Sequence, residues 1–503
     1  MSPDLANPAF AAARSETQPS GIRSVIRSAF SFPVMLAFAL AMLAVLTVQD
    51  RFHDPDLWWH LKAGELIVTT GSVPTTDPFS FTAQGSAWTA HEWLSEVIFF
   101  EVWKAGRQTG LMLGLCFLTA LLLITQYAFC RSYSGSAKVA LVGALIGWYC
   151  STSGLALRPH MIGYLLLTLE LLIVQVGRTS DARWFYALPP LFAIWINCHG
   201  SFVFGLLILA VMLVCGCFEF RAGLLTCKAW PLHVRKTGGF ALVISVAALF
   251  LNPLGWKLLI YPFDTLFLQN VNLNSVSEWQ PLTLQSERGW GVFFICAALA
   301  ALVILRRAEV RMVEIVLAAM GLVLALQHQR MVFVFGLLVA PLASRLMAEA
   351  YQEFDTSRDL PFANAVLMAF FALGIYWGFP TPQNLEQQVQ KNNPVKAVEY
   401  VRQAGLTGPM LNEYGYGGYL IWALPEHKVF IDGRADVYEW AGVMKETADW
   451  YSLAADPHEL LDKYGIRFCL LDSRSPMAMI VRLLPGWKQV YQDEQAIVLA
   501  RRN

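Results

Sequence analysis

Apolar and polar positions alternate along this chain in whole segments. Eleven apolar runs recur, near 30–49, 109–130, 138–156, 160–177, 184–197, 201–220, 238–252, 290–305, 312–327, 331–345 and 361–379. A helix of about 20 apolar residues spans a hydrocarbon layer, and shorter or tilted helices are tolerated within a bundle. The connection at 50–108 breaks the pattern. It holds two amphipathic stretches. The first opens at Asp56-Leu57-Trp58-Trp59-His60 and ends at Gly71 and Pro74; the second runs from Trp88 to Trp103. A turn-rich link, Thr75 to Ser80, joins them. With a helix beginning at Asp56, Asp56 and His60 share one face, and Asp56 suits the positive end of the helix dipole. After Pro382 the period changes. Strands are predicted at 410–412, 428–431, 467–471 and 496–500, between helices at 394–403, 438–450 and 458–464. Helices alternating with strands predict a small α/β domain. No internal repeat interrupts this order.

Composition fixes the class. Of 503 residues, 56% are hydrophobic and 15% charged, against about 25% charged in soluble proteins, so the chain calls for a bilayer. The formal net charge of zero provides no field to gather nucleic acid. Nine cysteines show no C-x-x-C spacing and read as small buried hydrophobes. Residues 1–28 are Ala-, Ser- and Pro-rich and are expected to be a disordered cytoplasmic tail. Arg23 and Arg27 before the first run suggest an uncleaved signal-anchor.

Charge bias then sorts the connections. One alternating set carries Arg131 and Lys138, Arg178 and Arg183, Arg221 to Lys236, Arg306 to Arg311, and Arg345 with Arg358. The positive-inside rule places that set in the cytoplasm. The other set holds 50–108, Arg158-Pro159-His160, Asn197-Cys198-His199-Gly200, 253–289, His328-Gln329-Arg330 and the tail. The short polar motifs fall on this external set. The expected organisation is a transmembrane unit over 29–380 with its external loop at 50–108, then an external α/β domain over 381–503.

Each motif has a functional and a plain reading. Asp56, with Asp54 as its rival, reads as a catalytic carboxylate or as a helix cap. Trp58 and Trp59 read as interfacial anchors or, with His60, His91 and Glu92, as substrate contacts. Arg158 suits a phosphate through its forked donors, or snorkels to the interface; His160 follows it. His199 binds substrate or satisfies backbone at a tight turn. Glu278 and Trp279 combine an acid with an aromatic ring, which suits a sugar, or form a solvated loop acid beside an anchor. Arg330 is the second phosphate candidate. Asp432 and Arg434 face a substrate or pair with each other. Glu170, deep in the fourth run, is a functional candidate by its depth or an interhelical hydrogen-bonding group.

The motifs DPDLWWHLKAGELIVTTGSVPTTDPFSFT, WTAHEWLSE, LRPHMIGYLLL, NCHGSFVFG, NPLGW with VSEWQPL, HQRMVFVFGLLVAPL and NEYGYGGYLIW with KVFIDGRADVY resemble, in order and spacing, the large bacterial group of GT-C membrane glycosyltransferases. The resemblance covers residues 30–500. Asp-Leu-Trp-Trp-His-Leu also looks like the first external loop of oligosaccharyltransferases and protein O-mannosyltransferases. It implies an all-α polytopic membrane bundle of about 11 helices, GT-C-like, in a bacterial inner membrane. It also implies an inverting transferase with a periplasm-facing site. The donor would be a sugar on a polyprenyl-phosphate carrier; the acceptor would be an envelope glycan, lipid or protein. Asp56 would act as base or orienter, and Arg158 and Arg330 would hold the leaving phosphate. Many such loops pair two acids; here Leu57 follows Asp56, which leaves a divalent cation an open question, and no other cofactor is implied. Alternatives are a transporter or flippase of lipid-linked sugars and a non-catalytic envelope-assembly protein.

Overall fold

The computed structural model describes residues 21–349, 351 and 354–502. Each of the eleven apolar runs contains or lies within a helix, at Phe32–Val48, Trp93–Ser134, Ala137–Ser151, His160–Thr179, Leu188–Cys198, Phe202–Cys215, Leu232–Ala248, Glu287–Arg306, Met312–Gln327, Val332–Ala348 and Pro361–Gly378, and several helices stop short of the run's end. Among the described residues, five helical segments are long and apolar enough to cross a membrane: Trp93–Ser134, His160–Thr179, Glu287–Arg306, Gln329–Ala348 and Pro361–Gly378. Phe32–Val48, Phe202–Cys215 and Met312–Gln327 are shorter apolar helices. Helix Val332–Ala348 is buried almost throughout, whereas Glu287–Arg306 and Pro361–Gly378 turn most of their apolar side chains outward. Small residues allow the inner helix its close neighbours. A Cβ at Gly143 would collide with Ser344 and the Ala340 carbonyl, so Ala137–Ser151 can press directly against Val332–Ala348.

The loop between the first two runs is folded, not extended. Helix Leu57–Thr70 ends at Gly71, whose φ of 68° lies in the left-handed region. The second amphipathic helix starts at Trp93 rather than Trp88. It continues through a kink at Arg107 (φ 51°, ψ −142°) into the second apolar run. One helical segment, Trp93–Ser134, therefore links the loop to the bundle.

The C-terminal segment carries a four-stranded sheet ordered Met410–Asn412, Phe468–Asp472, Ala496–Arg501, Trp487–Gln492. The first pair is parallel and the other two are antiparallel. Residues 428–431 are not a strand of this sheet: Val429 makes a single bridge, to Ser80 of the loop. The helix predicted over 438–450 is broken at Gly442 (φ 77°) into Ala435–Trp440 and Val443–Tyr451. Strand Trp487–Gln492 and a small sheet of Phe220–Ala222, Leu225–Cys227 and Val310–Arg311 went unpredicted, each lacking the alternation that marks a half-buried strand. Of the N-terminal tail, Ile22–Ala29 is a helix rather than disordered chain; residues 1–20 lie outside the described residues. All nine cysteines are free, most of them buried.

The sheet segment packs on the loop. Trp58 is buried between Trp103, Tyr419 and Trp422, with ring centroids 5.3–6.5 Å away. It is thus a packing residue between loop and tail, not an interfacial anchor or a substrate contact. Its aromatic character satisfied the membrane-anchor pattern equally well, which is why sequence alone misplaced it.

Candidate active site

The Asp54-Pro55-Asp56 turn sets the site. Asp54 Oδ1 accepts the Asp56 backbone N–H at 2.9 Å, an Asx turn that starts helix Leu57–Thr70. The Asp56 side chain makes no capping bond and points elsewhere. Its Oδ1 accepts from Trp59 Nε1 at 3.2 Å and its Oδ2 lies 3.1 Å from Arg158 Nη2. Arg158 precedes helix His160–Thr179. It donates from Nε to Asp54 Oδ2 at 2.6 Å and from Nη1 to Glu278 Oε1 at 3.3 Å. Glu278 sits on the short turn Ser277–Trp279. Arg330 packs over the Trp279 ring at 4.5 Å, and its nearest carboxylate oxygen is Glu278 Oε2 at 4.0 Å. Burial raises the Asp56 carboxyl above the ordinary aspartate value, with Asp54 adding to the rise and Arg158 opposing it. Burial alone would weaken the Arg158 cation, but Asp56, Asp54 and Glu278 outweigh it and hold the charge firmly in place.

These groups face a cavity of about 430 Å³. Its other wall is built from Glu92 and imidazoles. Glu92 lies 3.9 Å from His60 Nε2, 3.6 Å from His91 Nε2 and 3.5 Å from His199 Nε2. Burial would raise the Glu92 carboxyl, but His91 foremost, with His60 and His199, holds it well below the usual carboxylate range. Burial would lower His91, yet Glu92 and Asp436 keep it above the ordinary histidine value. His199 is pushed down to about 3 by burial. Glu92 thus favours the charged form of His91, and burial favours the neutral form of His199. His60 Nδ1 meets Glu96 at 3.2 Å, and His91 stacks on Tyr261 at 4.1 Å.

The cavity gathers Asp56, Trp59, His60, His91, Glu92, Arg158, His160, His199, Glu278, Trp279 and Arg330, drawn from five separate connections. Asp54 stands behind them, fixing Arg158 and the turn. Asp432 does not reach the cavity. It is fully buried and bound to Arg434 and to the Tyr438 hydroxyl at 2.5 Å. Arg434 touches the cavity edge, but its side chain is 1% exposed and its donors serve Asp432 and Asp77 at 2.7–2.9 Å. Phe79 and Trp88 cover its guanidinium on the ring faces. Pairing, not substrate contact, is what the structure shows for these two. Glu170 is buried in its helix and accepts no hydrogen bond.

The tail supplies residues that the sequence did not single out. Tyr414, Asp436 and Gly433 line the cavity with Tyr261 from the 253–289 connection. Gly433 lies so close to Asp56 and Trp59 that any Cβ would strike the carboxylate. Tyr414 and Gly433 lie within the tail motifs already noted, but which glycine or tyrosine mattered depended on a contact some 370 residues away in sequence.

A divalent ion fits this arrangement poorly. Among the described residues no three His, Cys, Asp or Glu side chains are set to hold one, and the carboxylates that converge here are bonded to Arg158.

No protein-family model matches the chain, and no curated protein matches it in sequence. Solved structures do match its shape. The Archaeoglobus fulgidus oligosaccharyltransferase, tethered to an acceptor peptide containing the NVT sequon, superposes with a TM-score of 0.53 at 11% identity, over 95% of this chain and 75% of that one. The archaeal oligosaccharyltransferase AglB from the same organism, in complex with an inhibitory peptide and a dolichol-phosphate, gives 0.51 at 12%, over 87% and 69%. ArnT from Cupriavidus metallidurans, bound to undecaprenyl phosphate, gives 0.53 at 14%, over 93% and 97%. At these identities the likeness establishes fold: the chain has the GT-C fold that these proteins share.

Proposed function

We propose that the protein is a membrane glycosyltransferase that moves a sugar from a polyprenyl-phosphate carrier to an acceptor hydroxyl or amide, with Asp56 as base or orienter. The observation that carries this reading is the position of Asp56. Of the two acids in the turn, it alone faces the cavity, at 20% exposure, and Arg330 lines the same cavity. Asp54 is the positioning residue behind it. The fold shared with proteins solved with dolichol-phosphate and undecaprenyl phosphate supports a lipid-phosphate donor.

The reaction divides the roles. The acceptor nucleophile attacks the anomeric carbon, and the bond from that carbon to the phosphate oxygen breaks, inverting the centre. The acceptor proton passes to the Asp56 carboxylate. The phosphate leaves with the bonding electron pair. Arg330, with no carboxylate within ordinary hydrogen-bond distance, has donors to stabilise it. Trp279, already stacked under Arg330, offers a ring face to the sugar. The raised proton affinity of Asp56 brings it nearer the working pH, where a general base is most effective. The site faces the side from which the positive-inside rule excludes the basic loops, the periplasmic side in a bacterial inner membrane.

The test is Asp56→Asn in membranes supplied with a polyprenyl-phosphate sugar and an envelope acceptor extract. Transfer should fall by about 10²–10⁴-fold at unchanged expression. Transfer at the wild-type rate would overturn the assignment. Mass spectrometry of lipid-linked and envelope glycans from cells with and without the gene would name the sugar and acceptor.

A further inference from the structure

Each of the three guanidinium nitrogens of Arg158 meets a different carboxylate. Nε binds Asp54 at 2.6 Å, Nη2 lies 3.1 Å from Asp56, and Nη1 binds Glu278 at 3.3 Å. Two of the three remaining oxygens are committed too, and the third lies 4.0 Å from a second arginine. Asp54 Oδ1 accepts a backbone N–H, Asp56 Oδ1 accepts from Trp59, and Glu278 Oε2 faces Arg330. Three acids from two loops offer the oxygen chemistry a divalent cation uses, but a magnesium-sized ion needs oxygens drawn in to about 2.0–2.1 Å, and as they stand these acids are spaced around a guanidinium, not set to hold an ion. Here a planar cation fills their centre and satisfies them through directed donors. To admit a metal, the chain would have to expel Arg158 from a half-buried position in which three carboxylates surround it, breaking every one of those pairings.

We propose that Arg158 is a built-in cation: it neutralises and orients Asp54, Asp56 and Glu278 in place of a divalent ion, and the site operates without one. The cluster then keeps a constant charge whatever the metal supply. The same arrangement makes a second claim. With the guanidinium removed, three carboxylates are left facing one another across the space it filled, and that space becomes a divalent-cation site. Metal binding can be read without any transfer reaction, so its outcome does not depend on the proposed activity.

The experiment titrates the purified full-length protein in nanodiscs with Mn²⁺, followed by electron paramagnetic resonance of the free ion. Wild type and Arg158→Lys, which keeps a positive charge in place, should show no saturable site. Arg158→Ala should bind one Mn²⁺ at least about tenfold more tightly than wild type, a difference of about 1.4 kcal/mol. Adding Asp54→Asn to Arg158→Ala should abolish that gain. A thermal melt of each variant, with and without Mn²⁺, reports whether it is folded. Two results would overturn the proposal. One is a saturable wild-type Mn²⁺ site that Asp54→Asn or Glu278→Gln removes. The other is a folded Arg158→Ala protein that gains no Mn²⁺. Should Arg158→Ala fail to fold, the wild-type and Arg158→Lys titrations decide alone, since saturable binding in either that Asp54→Asn or Glu278→Gln removes sinks the idea.

Discussion

Two arginines in this protein sit among acids drawn from the first loop, and they have opposite surroundings. Arg434 joins the tail's Asp432 to the loop's Asp77, sealed at 1% exposure with Tyr438 completing the network. Arg158 joins Asp54 and Asp56 to Glu278 on another loop, and its cluster opens on a cavity. A saturated, closed network contributes order: every donor has its acceptor and no room is left for a guest. An arginine cluster with one carboxylate face left to the cavity is the kind that meets a ligand. The same residue types thus close a buried network in one place and line an open cavity in the other, and accessibility separates them.

The contrast can be broken at either end. The largest effect is expected for Arg434→Ala. It strands Asp77 and Asp432 as buried, unpaired acids, at about 3–5 kcal/mol, and the variant should be lost from membranes or melt far below wild type in detergent. Arg158→Ala should keep the protein folded and monodisperse by size exclusion while transfer falls about 10²-fold or more, the cost of removing a positioned electrostatic group. Equal loss of folded protein from both substitutions would erase the distinction. Tyr438→Phe withdraws one donor from Asp432 and should cost about 1–3 kcal/mol in thermal or denaturant stability, with the transfer rate per folded molecule unchanged. The smallest effect concerns pH. Asp56 must be ionised to accept a proton, and burial raises its pKa above the ordinary aspartate value. Transfer should therefore be lost as pH falls through that raised pKa, with the acid limb of kcat/KM lying above the usual aspartate range. A limb at the ordinary aspartate value would show that Asp56 is not the titrating base.

Much of this was legible before the fold was known, for physical reasons. Membrane-spanning runs announce themselves because an unpaired backbone is costly in hydrocarbon; each of the eleven runs carries a helix, and five helical segments among the described residues are long and apolar enough to cross a membrane. The connections grouped by charge bias line one cavity: Arg158, His199, Glu278 and Arg330 share it with Asp56. What stayed illegible was the direction in which a side chain points. Trp58 and Trp59 are neighbours with the same local signal, yet one packs on the tail and the other lines the cavity. Asp432 and Arg434 looked as functional as Asp56 and Arg158, because burial depends on partners that are distant in sequence.

Gly433 carries a further consequence for biogenesis. Its backbone is the surface against which Asp56 rests, and Tyr414 and Asp436 complete the same wall. A ribosome makes this segment hundreds of residues after the turn it closes upon. The bundle can therefore insert helix by helix while its reactive corner stays unfinished, open to water. A nascent chain stalled before the tail would hold its apolar helices and lack one wall of the cavity.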